Sequence, residues 1–363
     1  MNKYKEYINI LAVSLTLAII LFYKFINGEY VFVSGDTLAP QAIKHAIASL
    51  IEKNGDFPYW FPYIFSGMPT VHSLLNINEF YFPHKIIKIL HGFGLPWIWN
   101  FLIHYIFSAI GMYSLLRFLK QSKTSSIFSA ILFTFSPYMI AYLVHGHGSQ
   151  IMTAAYLPWI ILFIFRIHRK NNIANFICLS LFIGLQLQRG HIQIAYYTWM
   201  LAGLFILISF IFNYRKNIKI AATRFCCSIG SLFMGFLISL SIYYPVLNYT
   251  SHSIRGGNNG GYGIENATQW SLHIKEFFTF IMPYSYGFGG KYYWGFLPFT
   301  DFPNYIGLFI IFLAIIGLFK IKSNKEYRIF FILAISLSLL LSLGKYFQNF
   351  YAIFYNYLPF FNK

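Results

Sequence analysis

Apolar runs dominate the chain and recur at lengths that cover a bilayer, which takes roughly 17 to 25 residues per helix. They fall near residues 7–26, 95–116, 124–143, 151–167, 173–188, 192–212, 220–245, 305–321 and 328–344. Nine helical spans are therefore expected, with polar sequence confined to what lies between them. Two of the intervening stretches are long, 27–94 and 246–304, whereas 145–150 and 189–191 leave room only for tight turns. The first long stretch has its own helical periodicity. Ala46, Ile47, Leu50 and Ile51 share one face of a segment from His45 to Lys53, and Phe82, Ile86, Ile87 and Leu90 share another set against Lys85 and Lys88. Both predict amphipathic helices lying in the interface plane.

Composition strengthens the membrane reading: 57% of the 363 residues are hydrophobic and only 10% are charged. The expected class is an all-α polytopic membrane protein, a single transmembrane domain over 1–363. A net charge of +17 would suggest nucleic acid in a soluble protein. Here the cations sit in short clusters between apolar runs, as topology signals do, so no nucleic-acid partner is expected.

Lys3 and Lys5 precede the first run; Arg117, Lys120 and Lys123 follow the second, and Arg166, Arg169 and Lys170 the fourth. Arg215, Lys216, Lys219 and Arg224 lie before the seventh, and Lys320, Lys322, Lys325 and Arg328 before the ninth. Every alternate loop is basic, which predicts a cytoplasmic N-terminus and a multi-pass protein of the plasma membrane. The two long stretches then face outward and carry most of the acids. Cys178, Cys226 and Cys227 all lie within apolar segments, so no disulfide framework or zinc spacing is present.

Candidate chemistry gathers on the outer face. Asp36 follows the first span, His145-Gly146-His147-Gly148 joins the third to the fourth, and Arg189-Gly190-His191-Ile192-Gln193 joins the fifth to the sixth. Arg255 opens a Gly- and Asn-rich run after the seventh. Guanidinium groups hold phosphate oxygens bidentately, imidazoles bind phosphate or hydroxyls, and a carboxylate can take a proton. The bland readings are a helix-capping role for Asp36, histidines hydrogen-bonded to headgroups, and snorkelling for Arg189. Trp97, Trp99, Tyr243 and Tyr244 are explained by the aromatic belt.

Several of these motifs together resemble one family. Gly35-Asp36, Phe57-Pro58-Tyr59-Trp60 with Ser66-Gly67-Met68-Pro69, Gly146-His147-Gly148 before Leu157-Pro158, Gly190-His191-Ile192-Gln193 leading into Tyr196-Tyr197, and Leu343-Gly344-Lys345 are similar to the YfhO-type bacterial membrane proteins. The resemblance covers essentially the whole chain and implies a GT-C-like helix bundle whose long outward loops carry interfacial helices. It implies a glycosyltransferase that moves a sugar from a polyprenyl-phosphate donor to an extracytoplasmic glycan or lipid acceptor, with Asp36 as the catalytic acid. His147, Arg189, His191, Gln193 and Arg255 are the expected substrate-binding residues. No cofactor is expected. A divalent cation among Asp36, His147 and His191 is the alternative, against which stands the lack of an Asp-x-Asp pair. Family members are longer, so the chain is expected to be an N-terminal portion. A flippase for lipid-linked saccharides and a non-catalytic scaffold for envelope assembly are the rival readings. The flippase predicts ionisable residues at mid-span, where this chain has almost none.

Overall fold

The computed structural model describes residues 3–73, 80–250, 252, 263–300, 303–320 and 325–361. They are almost entirely helical, and the strands among them are a two-residue antiparallel pair, Trp60–Phe61 with Met68–Pro69. Among the described residues six helices are long and apolar enough to cross a membrane, or seven if one bent pair counts as a span, which makes this a multi-pass membrane protein. The nine expected runs do not all become full spans. Residues 173–188 and 305–321 yield the shorter helices Ile173–Gln188 and Leu308–Lys320. The first of these is bounded by the Asn172 N-cap and a left-handed Gly190, and the second begins just after Gly307 at φ +104°. The run 220–245 divides into Ile218–Ile238 and Leu240–Thr250.

The chain forms two compact units, Met1–Val246 and Leu247–Lys363. In the first, the Leu157–Arg169 helix packs against Trp99–Phe118, Ile173–Gln188, Ile192–Tyr214 and Ile218–Ile238. From Leu157 to Phe165 it carries no polar residue, and Ile160, Leu162, Ile164, Phe165 and Ile167 are fully buried, as a helix packed among others requires. Ile173–Gln188 and Ile218–Ile238 approach closely through small residues. A Cβ on Gly184 would lie 2.6 Å from Ile238, and one on Gly235 would lie 2.4 Å from Ile183. Lipid tails offer no hydrophobic drive for helix association, so such close backbone contact supplies the dispersion energy instead. At the other end of the bundle Glu6 joins Lys3–Phe22 to its neighbours. Its carboxylate pairs with Arg117 at 3.2 Å and Lys123 at 2.8 Å, and accepts from the Tyr113 hydroxyl at 2.9 Å.

A helix is present at Phe82–Gly92, where an amphipathic one was expected over Tyr81–Leu90, with Phe82, Ile86, Ile89 and Leu90 exposed and Ile87 buried. The other runs from Gly35 to Asn54, ten residues further toward the N-terminus than the expected start at His45. Between them, the Trp60–Pro69 turn places Phe65 and Ser66 at φ 51° and 61°, and Gly67 lies directly on the Trp60 indole.

In the second unit, Lys325–Ser342 and Gly344–Tyr357 meet at a bend of 107°. Gly344 makes the bend at φ +42°, where a Cβ would collide with Ser271 Oγ. That hydroxyl accepts from Lys345 N at 2.9 Å, and Leu272 N donates to the Ser342 carbonyl at 2.8 Å. A buried carboxylate, Glu276, pins the following loop. Its Oε1 accepts from the Tyr293 hydroxyl and from Phe296 N at 3.1 Å, and the Tyr293 oxygen in turn accepts from Leu297 N at 2.8 Å.

Candidate functional site

Ser34 starts the helix that carries Asp36. Its extended backbone leaves the side chain free to accept from Thr37 N at 3.2 Å, and its hydroxyl also bonds the Thr37 hydroxyl at 2.8 Å. Asp36 thus lies in the first helical turn, where the unsatisfied N–H groups and the helix dipole favour negative charge. Four residues on, Pro40 has no N–H to give the Asp36 carbonyl, so this first turn is looser than an unbroken helix.

The His145–Gly148 turn comes down on that helix start. Gly146 has φ +82°, and a Cβ there would lie 2.5 Å from Thr37 N and 2.7 Å from the Asp36 carbonyl carbon. Only glycine meets both demands, the left-handed backbone and the close approach. The result is a direct side-chain contact: His147 Nε2 lies 3.1 Å from Asp36 Oδ2, with the Asp36 side chain still 71% exposed and His147 28% exposed. Behind it, His147 N donates to the Tyr142 carbonyl at 2.7 Å, which fixes the turn. Gly148 completes the fit, lying against the Phe101 ring.

Asp36 opens onto a cavity of about 640 Å³. Thr37, Gln41 and Lys44 from the same helix line it, with Trp97, Phe101, Ser149 and Arg189 among the facing residues. Arg189 follows Gln188 at the end of the Ile173–Gln188 helix and is 2% exposed. Its guanidinium carbon sits 4.6 Å from the centre of the Tyr81 ring, a cation–π seat. Tyr81 is itself held by a buried network. His104 Nδ1 lies 2.6 Å from the Asn100 carbonyl and must donate to it, so His104 Nε2 accepts from Tyr81 Oη at 2.7 Å. With its one proton committed there, Tyr81 Oη accepts from the Tyr156 hydroxyl at 2.5 Å. Burial pushes the Tyr81 phenol up to about 12, and lowers the pKa of Arg189 from its ordinary value.

His191 begins the next helix: its Nδ1 accepts from Ile194 N at 3.4 Å. Burial, aided by the nearby His147, brings its pKa down to about 4, so it is neutral at pH 7 and Nε2 carries the proton. Gln193 lies outside the cavity lining and donates to the Tyr197 hydroxyl at 2.9 Å. Of the six expected site residues, Asp36 and His147 touch, Arg189 shares the cavity with Asp36, and His191 is within electrostatic reach of His147. Arg255 lies outside the described residues. Among the described residues no group of three or more His, Cys, Asp or Glu is placed to hold a metal ion.

Lys44, Trp97 and the Tyr81–His104–Tyr156 network are additions that the sequence reading missed. Lys44 follows Asp36 by eight residues, a spacing that puts both on one helical face once the helix is known to begin at Gly35. Trp97 looked like an ordinary belt residue, and nothing in its local sequence distinguishes it.

No family model matches this chain, and no curated protein shows significant similarity to it.

Proposed function

We propose that this protein is a plasma-membrane glycosyltransferase of GT-C type, moving a sugar from a polyprenyl-phosphate donor to an extracytoplasmic glycan or lipid acceptor. The observation that carries the reading is one cavity bearing an exposed carboxylate at its rim and a deeply buried guanidinium in its wall. In a single displacement the acceptor hydroxyl oxygen attacks the anomeric carbon as the bond from that carbon to the phosphate oxygen breaks. Asp36 takes the hydroxyl proton, and the phosphate leaves with the bonding electrons, its charge met by Arg189. One displacement inverts the anomeric centre. His147 orients the Asp36 carboxylate, and the neutral His191 offers an N–H to a sugar or phosphate oxygen. The basic loops support a cytoplasmic N-terminus, which puts Asp36 outside.

Purified protein reconstituted with a labelled polyprenyl-phosphate sugar tests this directly. Asp36→Asn is expected to lower transfer by about 100-fold or more, the usual worth of a positioned base. Unchanged transfer in that variant would end the base assignment, and movement of the labelled lipid across the bilayer without transfer would make the protein a transporter. A cysteine at Asp56, an exposed position past the Gly35–Asn54 helix, should react with an impermeant maleimide from outside the cell. Reaction only from the inside would reverse the topology.

A further inference from the structure

The charged side chains lining the cavity are Asp36, Arg189 and Lys44. Lys44 is presented much as Arg189 is, by an aromatic ring held from behind. Its Nζ lies 5.5 Å from the centre of the Trp97 ring. On Trp97 stacks His91, with centroids 5.6 Å apart and planes 23° from parallel. His91 is fixed in turn: Nδ1 lies 2.5 Å from the Leu95 carbonyl and donates to it, so Nε2 accepts from Asn100 Nδ2 at 2.8 Å. The same Asn100 amide donates to the Trp97 carbonyl at 3.0 Å.

Asn100 therefore serves both aromatic seats. Its side chain secures Trp97 directly and through His91, and its carbonyl sets the His104 tautomer that holds Tyr81. A buried amide that braces the rings under two separate cations of one cavity is hard to account for as packing alone. Lys44 also stands about 12 Å along the helix axis from Asp36, at 1.5 Å per residue, which leaves room for a ligand group between them.

We propose that Lys44 is a second phosphate-holding cation of this cavity, beside Arg189, and that Trp97 is the positioning residue that aims it. The phosphate chemistry is common to a lipid-borne phosphate and to free phosphate; that it arrives on a lipid carrier rests on the glycosyltransferase reading. Cation–π seating keeps a lysine ammonium near one place without neutralising it. Together with a guanidinium it suits a group whose negative charge is spread over several oxygens.

The test is binding of farnesyl phosphate, farnesol and inorganic phosphate to the full chain in nanodiscs of neutral lipid. Lys44→Gln should weaken farnesyl phosphate roughly tenfold, the worth of one charge-assisted hydrogen bond, and flatten its salt dependence. Lys44→Arg should keep most of the affinity. Trp97→Ala should cost roughly threefold to tenfold, with Trp97→Phe restoring much of it, whereas a purely structural tryptophan would lower the melting temperature without a matching change in salt dependence. Lys44 is exposed, so its variants should fold, and melting curves verify this. Binding of farnesyl phosphate that is the same in wild type, Lys44→Gln and Lys44→Arg would overturn the proposal while leaving the transferase reading intact. Farnesol binding as tightly as farnesyl phosphate would overturn it too. Inorganic phosphate binding as tightly as farnesyl phosphate, with the same Lys44 dependence, would uphold the cation pair and remove the lipid carrier.

Discussion

Asp36 in the first unit and Glu276 in the second are carboxylates in opposite circumstances. Asp36 is 71% exposed on a loosened helix start and makes one contact with a histidine, while Glu276 is 1% exposed and accepts from a phenol and a backbone N–H. A carboxylate sealed inside the fold, with one oxygen held by two donors of its own loop, is closed to a substrate. One that faces a cavity and keeps its lone pairs in water can receive a proton. The same chemical group is thus a fastener in one place and open to a ligand in the other. The difference comes from what surrounds each: Tyr293, Gly295 and Phe296 close over Glu276, whereas Gly146 presses on the backbone at Asp36 and leaves its side chain exposed.

The sharpest way to break this contrast is to exchange the readouts. Asp36→Asn should abolish transfer, by about 100-fold or more, yet leave the unfolding free energy within about 0.5 kcal/mol, as for other exposed sites. Glu276→Ala should do the reverse in stability, costing on the order of 3 kcal/mol because a phenol and an amide lose their acceptor in a buried place. Glu276→Gln keeps an acceptor oxygen and should recover a good part of that loss. Melting in detergent, followed beside activity, measures both. A stability loss in Asp36→Asn as large as in Glu276→Ala would erase the distinction.

A smaller effect is expected at the contact that sets Asp36 in place. Gly146→Ala adds a Cβ that must displace Thr37 N and strains a left-handed backbone, at a cost on the order of 2 kcal/mol. Because the collision is with the backbone at Asp36 and Thr37, activity should fall more than the stability change alone explains. Gly203→Ala, in the interior of the Ile192–Tyr214 helix where a Cβ meets open space, is the control and should leave activity unchanged while holding or slightly raising stability. An active, fully stable Gly146→Ala would show that the turn does not position the carboxylate.

How far these features could be read in the sequence depended on whether the determinant was local. Span existence was legible because it is a matter of summed hydropathy, and Phe82–Gly92 was legible because its apolar stripe repeats at helical spacing. The helix bearing Asp36 was placed late. From Gly35 to Lys44 the apolar Leu38, Ala39, Ala42 and Ile43 already keep helical spacing, but Gly35 and Pro40 lower the local helix propensity. The capping Ser34 was the local sign of the true start. The alternation of basic loops led to the expectation that Asp36 shares one face with His147, His191 and Arg255, without saying which of them it touches. The reason Asp36 and His147 touch lies in the space above Thr37, which no linear pattern encodes. Lys44, Trp97 and the His91–Asn100 brace depend on contacts among separate segments and stayed hidden for that reason.

The finest probe concerns His191, which lies near His147 but lacks the exposure of Asp36. Its imidazole has a pKa near 4 against an ordinary value of 6.5, because burial and His147 disfavour the cation. Between those values the unfolded chain binds a proton that the folded protein refuses, so acidification favours unfolding. Stability attributable to His191 is therefore complete above about pH 6.5, declines as pH falls through the window, and stops declining below about pH 4. His191→Gln, which retains an acceptor for Ile194 N, should remove this portion of the pH dependence and leave stability at pH 8 nearly unchanged. Melting temperatures of the two proteins across that range provide the comparison. Parallel curves would mean that His191 titrates as it does in the unfolded chain, and that the cluster around His147 is as open to water as Asp36 itself.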